Sequence, residues 1–166
     1  NIVVTHEWDD ALALECANKL AKRFYDVRHD FKFLVETAAP DEAIRLAMED
    51  TDHQVFLSDS GDNTTAGAAG DNAYMINRLK AAGATNVLVA GIADEAACDQ
   101  CYKAEIGQTV TVQVGGSLDV NSEKAVLTGT LVHKGDILSY TGGNAGPSVT
   151  LDCGDMTVVL CCKMTE

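Results

Sequence analysis

Residues 58–71 read Ser-Asp-Ser-Gly-Asp-Asn-Thr-Thr-Ala-Gly-Ala-Ala-Gly-Asp. An apolar run (Val55, Phe56, Leu57) precedes them and predicts a buried strand. An amphipathic run (Tyr74, Met75, Ile76, Leu79) follows and predicts a helix. A glycine-rich loop with three aspartates therefore stands where a strand ends and a helix begins. In open α/β sheets that junction is where ligand sites form, and loops on a rigid scaffold carry function more often than the scaffold does.

Helix and strand patterns alternate through the first two thirds of the chain. Residues 2–4 predict a short strand. Residues 8–28 predict a long helix, with Asp9 or Asp10 at its start and Leu12, Cys16, Leu20, Phe24 and Val27 at helical spacing. Phe31, Phe33 and Val35 alternate as a strand would. Pro40, Asp41 and Glu42 mark a helix start, and Ala43, Ile44, Ala47 and Met48 form its apolar face. A strand over 54–58, a helix over 71–82 stopped by Gly83, a strand over 86–92, a helix over 94–105 and a strand over 109–114 follow. The uniformly apolar 86–92 run predicts a central strand buried on both faces. The character changes after Gly115-Gly116, where only strands are legible: 125–133, 137–140, 149–153 and 156–162. Lys134-Gly135-Asp136 and Cys153-Gly154-Asp155 supply turn chemistry between them, and 141–147 reads as a long flexible loop. The expected fold class is α/β (α+β overall): a mostly parallel sheet with flanking helices over 1–116, then an antiparallel β-rich appendage over 117–166 packed as one unit with it.

Among 166 residues the formal net charge is −13. Such a surface repels phosphate backbones, which disfavours nucleic acid and anionic membranes as partners. No apolar run reaches the ~20 residues of a membrane helix, no leader peptide is legible, and the cysteine usage makes a reducing, cytoplasmic setting the expectation. The six cysteines do not form a disulfide framework. Cys98-x-x-Cys101 falls within a predicted helix with no second pair at zinc spacing, and reads as a buried or semi-buried pair.

Several chemistries are excluded by their missing residues. The loop lacks the Gly-Lys-Ser/Thr ending of a phosphate-binding loop. Position 10 is aspartate, so His6-Glu7 cannot open a zinc-binding helix. No Gly-x-Ser-x-Gly elbow exists for a serine hydrolase. What remains is the loop itself. Carboxylates beside flexible glycines at a strand end are placed to meet a proton, a metal or a substrate amine; for Asp59 and Asp62 a structural turn role stays open beside that one. Asp71 has its own structural alternative, as the cap of the following helix.

The run Val55-Phe56-Leu57-Ser58-Asp59-Ser60-Gly61-Asp62-Asn63, continuing to Gly67-x-x-Gly70-Asp71, resembles the signature of the C-terminal domain of the microcystinase C (MlrC) family, the M81-type metallopeptidase-like proteins. Ala90-Gly91-Ile92-Ala93-Asp94, Ile106-Gly107-Gln108-Thr109-Val110, Val114-Gly115-Gly116 and Gly146-Pro147-Ser148-Val149 match in order. The resemblance implies a zinc-dependent amide hydrolase. On that resemblance the metal ligands are expected mainly in an N-terminal domain, with a further segment following the last strand, and the residues read here are expected to carry neither. It implies Asp59, Asp62 and Asn63 as catalytic residues near that metal, and Gly61, Gly67, Gly70 and Asp71 as substrate-binding residues, with no metal ligand in this chain. Partners are then a peptide or amide substrate and the missing domain of the same chain; a homo-oligomer is admitted, and the chain by itself is expected to be inactive. Where the family has Asn-Pro-Gly-Gly-Gly, this chain has Asn63-Thr64-Thr65-Ala66-Gly67. Threonine and alanine cannot follow every backbone conformation open to glycine. The rival readings are a non-catalytic ligand-binding domain and a structural or oligomerisation domain.

Overall fold

A computed structural model describes residues 2–118, 122–139 and 142–164. The chain divides into two units, 1–38 and 39–166. The first carries α1 (Asp10–Asp26), whose first turn is capped by Asp9 accepting from the Leu12 N–H at 2.9 Å. Its apolar stripe falls at the predicted spacing, and none of its residues is buried. Groups 2–4 and 31–35, expected as strands, form none.

The second unit carries α2 (Pro40–Glu49), α3 (Tyr74–Ala82), β1 (Val87–Ala93), α4 (Glu95–Lys103), β2 (Thr109–Val114), β3 (Ala125–Leu138), β4 (Asn144–Asp152) and β5 (Met156–Cys161). The strands form one five-stranded sheet in the order β1-β5-β4-β3-β2. Only β1 and β5 pair in parallel; the other three pairings are antiparallel. The expectation of a mostly parallel sheet is thus corrected to a mixed α+β fold. Helix–strand alternation up to β2 implies that β1 and β2 are parallel neighbours. Instead the three later strands enter between them, joined by short connections that only antiparallel pairing allows. The same insertion corrects the expected position of the apolar strand: β1 lies at the sheet edge, with Leu88 67% exposed.

Three further corrections concern local pattern. Residues 54–58 are exposed and form no ladder, because a strand needs a hydrogen-bonded neighbour and none of the described residues pairs with them. Lys134-Gly135-Asp136 is no turn: β3 runs through it, Gly135 facing Ser148, and a bulge at Leu131/His133 takes up the irregularity. The expected strand over 137–140 is therefore the end of β3, with Tyr140 outside the described residues. The expected flexible loop at 141–147 is mostly the start of β4, and Thr141 lies outside the described residues.

The last hairpin forms as its alternation requires. Gly154 takes a φ of +87° at the turn, and the Cys153 N–H closes it on the Met156 carbonyl at 2.9 Å. Val149 faces Leu160 and Leu151 faces Val158, all four fully buried. These residues share a core with Leu127, Leu131, Val112 and Val114 from the sheet and with Ile76, Ala97, Cys98 and Cys101 from α3 and α4. The helices thus cover one face, while Val126 and Val132 of β3 remain on the open one. Gly83, at φ +68°, ends α3 as expected.

Candidate site at the root of the acidic loop

The loop is built on carboxylate-to-backbone hydrogen bonds. Asp59 is exposed, and its Oδ1 accepts from the Gly61 N–H at 2.8 Å, an Asx turn. Asn63 caps a single 3₁₀ turn (Thr64–Ala66), its Oδ1 accepting from the Thr65 N–H at 3.0 Å and from the Thr65 hydroxyl at 2.7 Å. Gly67 closes that turn at φ +95°. Asp62 is half-buried and reaches across the loop, Oδ1 accepting from the Gly70 N–H and Oδ2 from the Asn72 N–H, both at 2.8 Å. Asp62 therefore closes the loop on itself. Gly70 takes φ +70°, and a Cβ there would come within 2.5 Å of the Thr64 side chain, so only glycine fits without displacement. Its carbonyl accepts from the Ala93 N–H at 2.7 Å, which fixes the loop root at the C-terminal end of β1.

Asp71 does not cap the helix. α3 begins at Tyr74, and Asn72 accepts the Tyr74 N–H at 3.0 Å instead. Asp71 is 1% exposed, and its Oδ2 accepts from the Ser117 N–H (2.7 Å), the Ser117 hydroxyl (2.9 Å) and the Leu118 N–H (2.9 Å). Burial alone pushes this carboxyl up. The hydrogen bonds from Leu118 and Ser117 outweigh burial and hold it below the usual carboxylate range. Asp94 is the second buried acid. It caps α4 through the Ala97 N–H at 2.9 Å and accepts from the Gly115 N–H at 2.8 Å. The sheet is curled enough for the turn after β2 to meet the C-terminal end of β1 here.

The structure thus brings Asp62, Gly70 and Asp71 together at the loop root and leaves Asp59, Gly61, Asn63 and Gly67 at the exposed part. The sequence reading missed Asp94, Gly115 and Ser117 as members of this junction. The signal was present: an acid directly after an apolar strand, and a Gly-Gly pair directly after another. Two open grooves elsewhere, between α2 and α3 (Asp41, Ile44, Met48, Arg78) and along α1 (Leu20, Phe24, Phe31), take no residue from the loop.

No group of three or more His, Cys, Asp or Glu among the described residues is arranged to hold a metal ion. The donor chemistry agrees: the loop-root carboxylates are committed to N–H groups. Cys98 and Cys101 are fully buried, as expected, and burial pushes both thiols up, keeping them protonated and poor ligands. Zinc therefore does not fit the described residues of this chain alone. No helix among the described residues is long and apolar enough to cross a membrane.

The family profile described as MlrC C-terminus matches residues 57–166. Among solved structures, a protein of Mesorhizobium sp. BNC1, provisionally described as a metallopeptidase, superposes with a TM-score of 0.68 at 21% sequence identity. The alignment covers 93% of this chain and 32% of that one, so the chain spans about a third of its solved relative. No curated protein matches.

Proposed function

This chain belongs to the MlrC C-terminus family, and from that premise we propose that it is the C-terminal domain of a zinc-dependent, metallopeptidase-like amide hydrolase, contributing its acidic loop to the active-site cleft. On this reading the metal is bound by residues outside this chain, and the substrate is a peptide or related amide. Asp59 is the proton acceptor or the orienter of water and substrate, because its carboxylate is exposed on a loop whose root is fixed. That combination, an accessible acid on a pinned loop, is the observation that carries the proposal. Asp62 contributes by holding the loop closed beneath it. Asn63 uses its carbonyl oxygen on Thr65, which leaves the amide nitrogen as the donor end for a developing oxyanion. Gly61 and Gly67 keep the loop free of bulk where substrate backbone would approach, while Gly70 and Asp71 act from the loop root.

The test uses the full-length protein: metal analysis, hydrolysis of a fluorescence-quenched peptide mixture, and the Asp59→Asn variant. The expected result is bound zinc, hydrolysis, and a kcat loss of roughly 10²–10⁴ for Asp59→Asn, the usual range for a general acid–base group. Metal-free protein without hydrolysis would instead support a non-catalytic binding domain. Full turnover by Asp59→Asn would remove Asp59 from the chemistry.

A further inference from the structure

Four successive backbone N–H groups of the turn after β2 end on two buried aspartates. Gly115 donates to the Asp94 carboxylate (2.8 Å), Gly116 to the Asp71 carbonyl (3.0 Å), and Ser117 and Leu118 to the Asp71 carboxylate (2.7 and 2.9 Å). The fit is close as well as polar. A Cβ at Gly115 would lie 2.7 Å from both the Asp71 carbonyl oxygen and the Ala73 Cβ. On its other side Asp71 sits between Gly70 and Asn72, the two residues whose N–H groups Asp62 gathers. One residue therefore belongs to both the acidic loop and the turn.

Apolar packing would hold two segments together without the cost of taking a charge out of water. A carboxylate does something packing does not: it is satisfied only while its donors keep one geometry, so it fixes orientation as well as contact. The acid is also in the form that accepts, since its hydrogen bonds keep it ionised at neutral pH.

We propose, resting on the reading of the acidic loop as one wall of a hydrolytic cleft, that Asp71 is the positioning residue of that cleft: it fuses the 115–118 turn to the 59–71 loop, so that the turn is the second wall and the two segments open only together. Asp71 then touches neither substrate nor metal. Its contribution reaches the chemistry through Asp59 on one side and the turn on the other.

Amide hydrogen exchange on the full-length protein tests the coupling without any substrate. In Asp71→Asn, exchange at 115–118 and at 59–70 rises together by roughly tenfold or more, because the buried negative charge that meets three donors is replaced by a neutral amide whose oxygen accepts more weakly and whose NH2 group adds donors. Amides of β4 and β5 speed up by no more than the variant's loss of global stability, measured separately by urea unfolding, accounts for. Leu151→Ala serves as the control for general loosening and raises exchange across the sheet. If only 115–118 speeds up, or if Asp71→Asn reproduces the Leu151→Ala pattern, the coupling is wrong. The second arm is kinetic. On the fluorescence-quenched peptide mixture, at a temperature where the variant stays folded, Asp71→Asn lowers kcat/KM at least tenfold. An unchanged kcat/KM overturns the positioning role. If the wild-type protein hydrolyses nothing, the cleft reading fails on its own while the exchange experiment still decides the coupling.

Discussion

The β4–β5 hairpin and the 54–71 region are held by opposite kinds of side chain. In the hairpin, Val149, Leu151, Val158 and Leu160 are fully buried, and the partner of each lies seven or eleven residues away along the chain. In 54–71 the residues of similar character, Val55, Phe56 and Leu57, are exposed, and the parts that are fixed are fixed by hydrogen bonds, chiefly the Asp62 carboxylate on backbone N–H groups and the Gly70 carbonyl on Ala93. The difference teaches that alternation is enough to specify structure only when the neighbour that completes it is encoded nearby. A two-residue turn delivers β5 onto β4; nothing comparable delivers a strand onto 54–58.

Truncating one residue from each region gives the largest contrast. Leu151→Ala removes a fully buried side chain between β3 and β5 and should cost about 2–5 kcal/mol. Phe56→Ala removes a larger side chain that is 83% exposed, and should stay within about 0.5 kcal/mol. Urea unfolding of both variants measures the gap. Equal losses would break the comparison, because Phe56 would then be buried in solution.

The polar side of the comparison is probed next, at the junction where packing and carboxylates meet. Gly115→Ala forces a Cβ against backbone at φ +82° and should destabilise by about 1–3 kcal/mol, read as a lower thermal midpoint. Asp71→Asn should cost a similar or smaller amount, about 1–3 kcal/mol, but with a signature that no apolar truncation shares. The folded-state pKa of Asp71 is depressed, so its contribution is fully present above the unfolded value of about 3.9 and is lost as pH falls through the lower folded value. Acid titration of stability should therefore show a shallower loss below pH ~4 in Asp71→Asn than in wild type. An acid limb of unchanged slope would sink the assignment. Leu151→Ala should lower the whole curve without changing that slope.

These contrasts also explain what could be read from the sequence. The hairpin, α4 and β2 were legible because their signals are local: alternation, an Asp94 cap, a Gly154 turn. The helix α3 was legible in its body and wrong at its start, because Asp71 carries the composition of a cap but spends its carboxylate forty-six residues away on Ser117. Long-range pairing has no local trace. For the same reason the uniformly apolar β1 reads as a central strand, although sheet order places it at an edge. The order β1-β5-β4-β3-β2 depends on where the last strand inserts, which no window of neighbouring residues records. In the candidate site the acid and glycine positions were legible as a loop, whereas the division of labour among the acids was not: Asp59, Asp62 and Asp71 have the same side chain and differ only in what their oxygens meet.

That division leads to the smallest effect on stability and the sharpest on function. Asp59 is exposed and bonded within its own turn, to Gly61. Replacing it by asparagine keeps a carbonyl oxygen that can accept the same N–H, so unfolding free energy should change by no more than about 0.5 kcal/mol. Hydrolysis by the full-length protein should fall steeply, since an amide neither accepts a proton nor carries the charge that orients a cationic amine. Asp71→Asn should show the reverse ordering, a clear stability loss accompanied by a smaller kinetic one. Measuring both variants for both properties separates an acid that acts from an acid that holds. If the two variants lose stability and turnover in the same proportion, exposure does not distinguish their roles, and the loop's acids must be assigned again from their contacts with substrate.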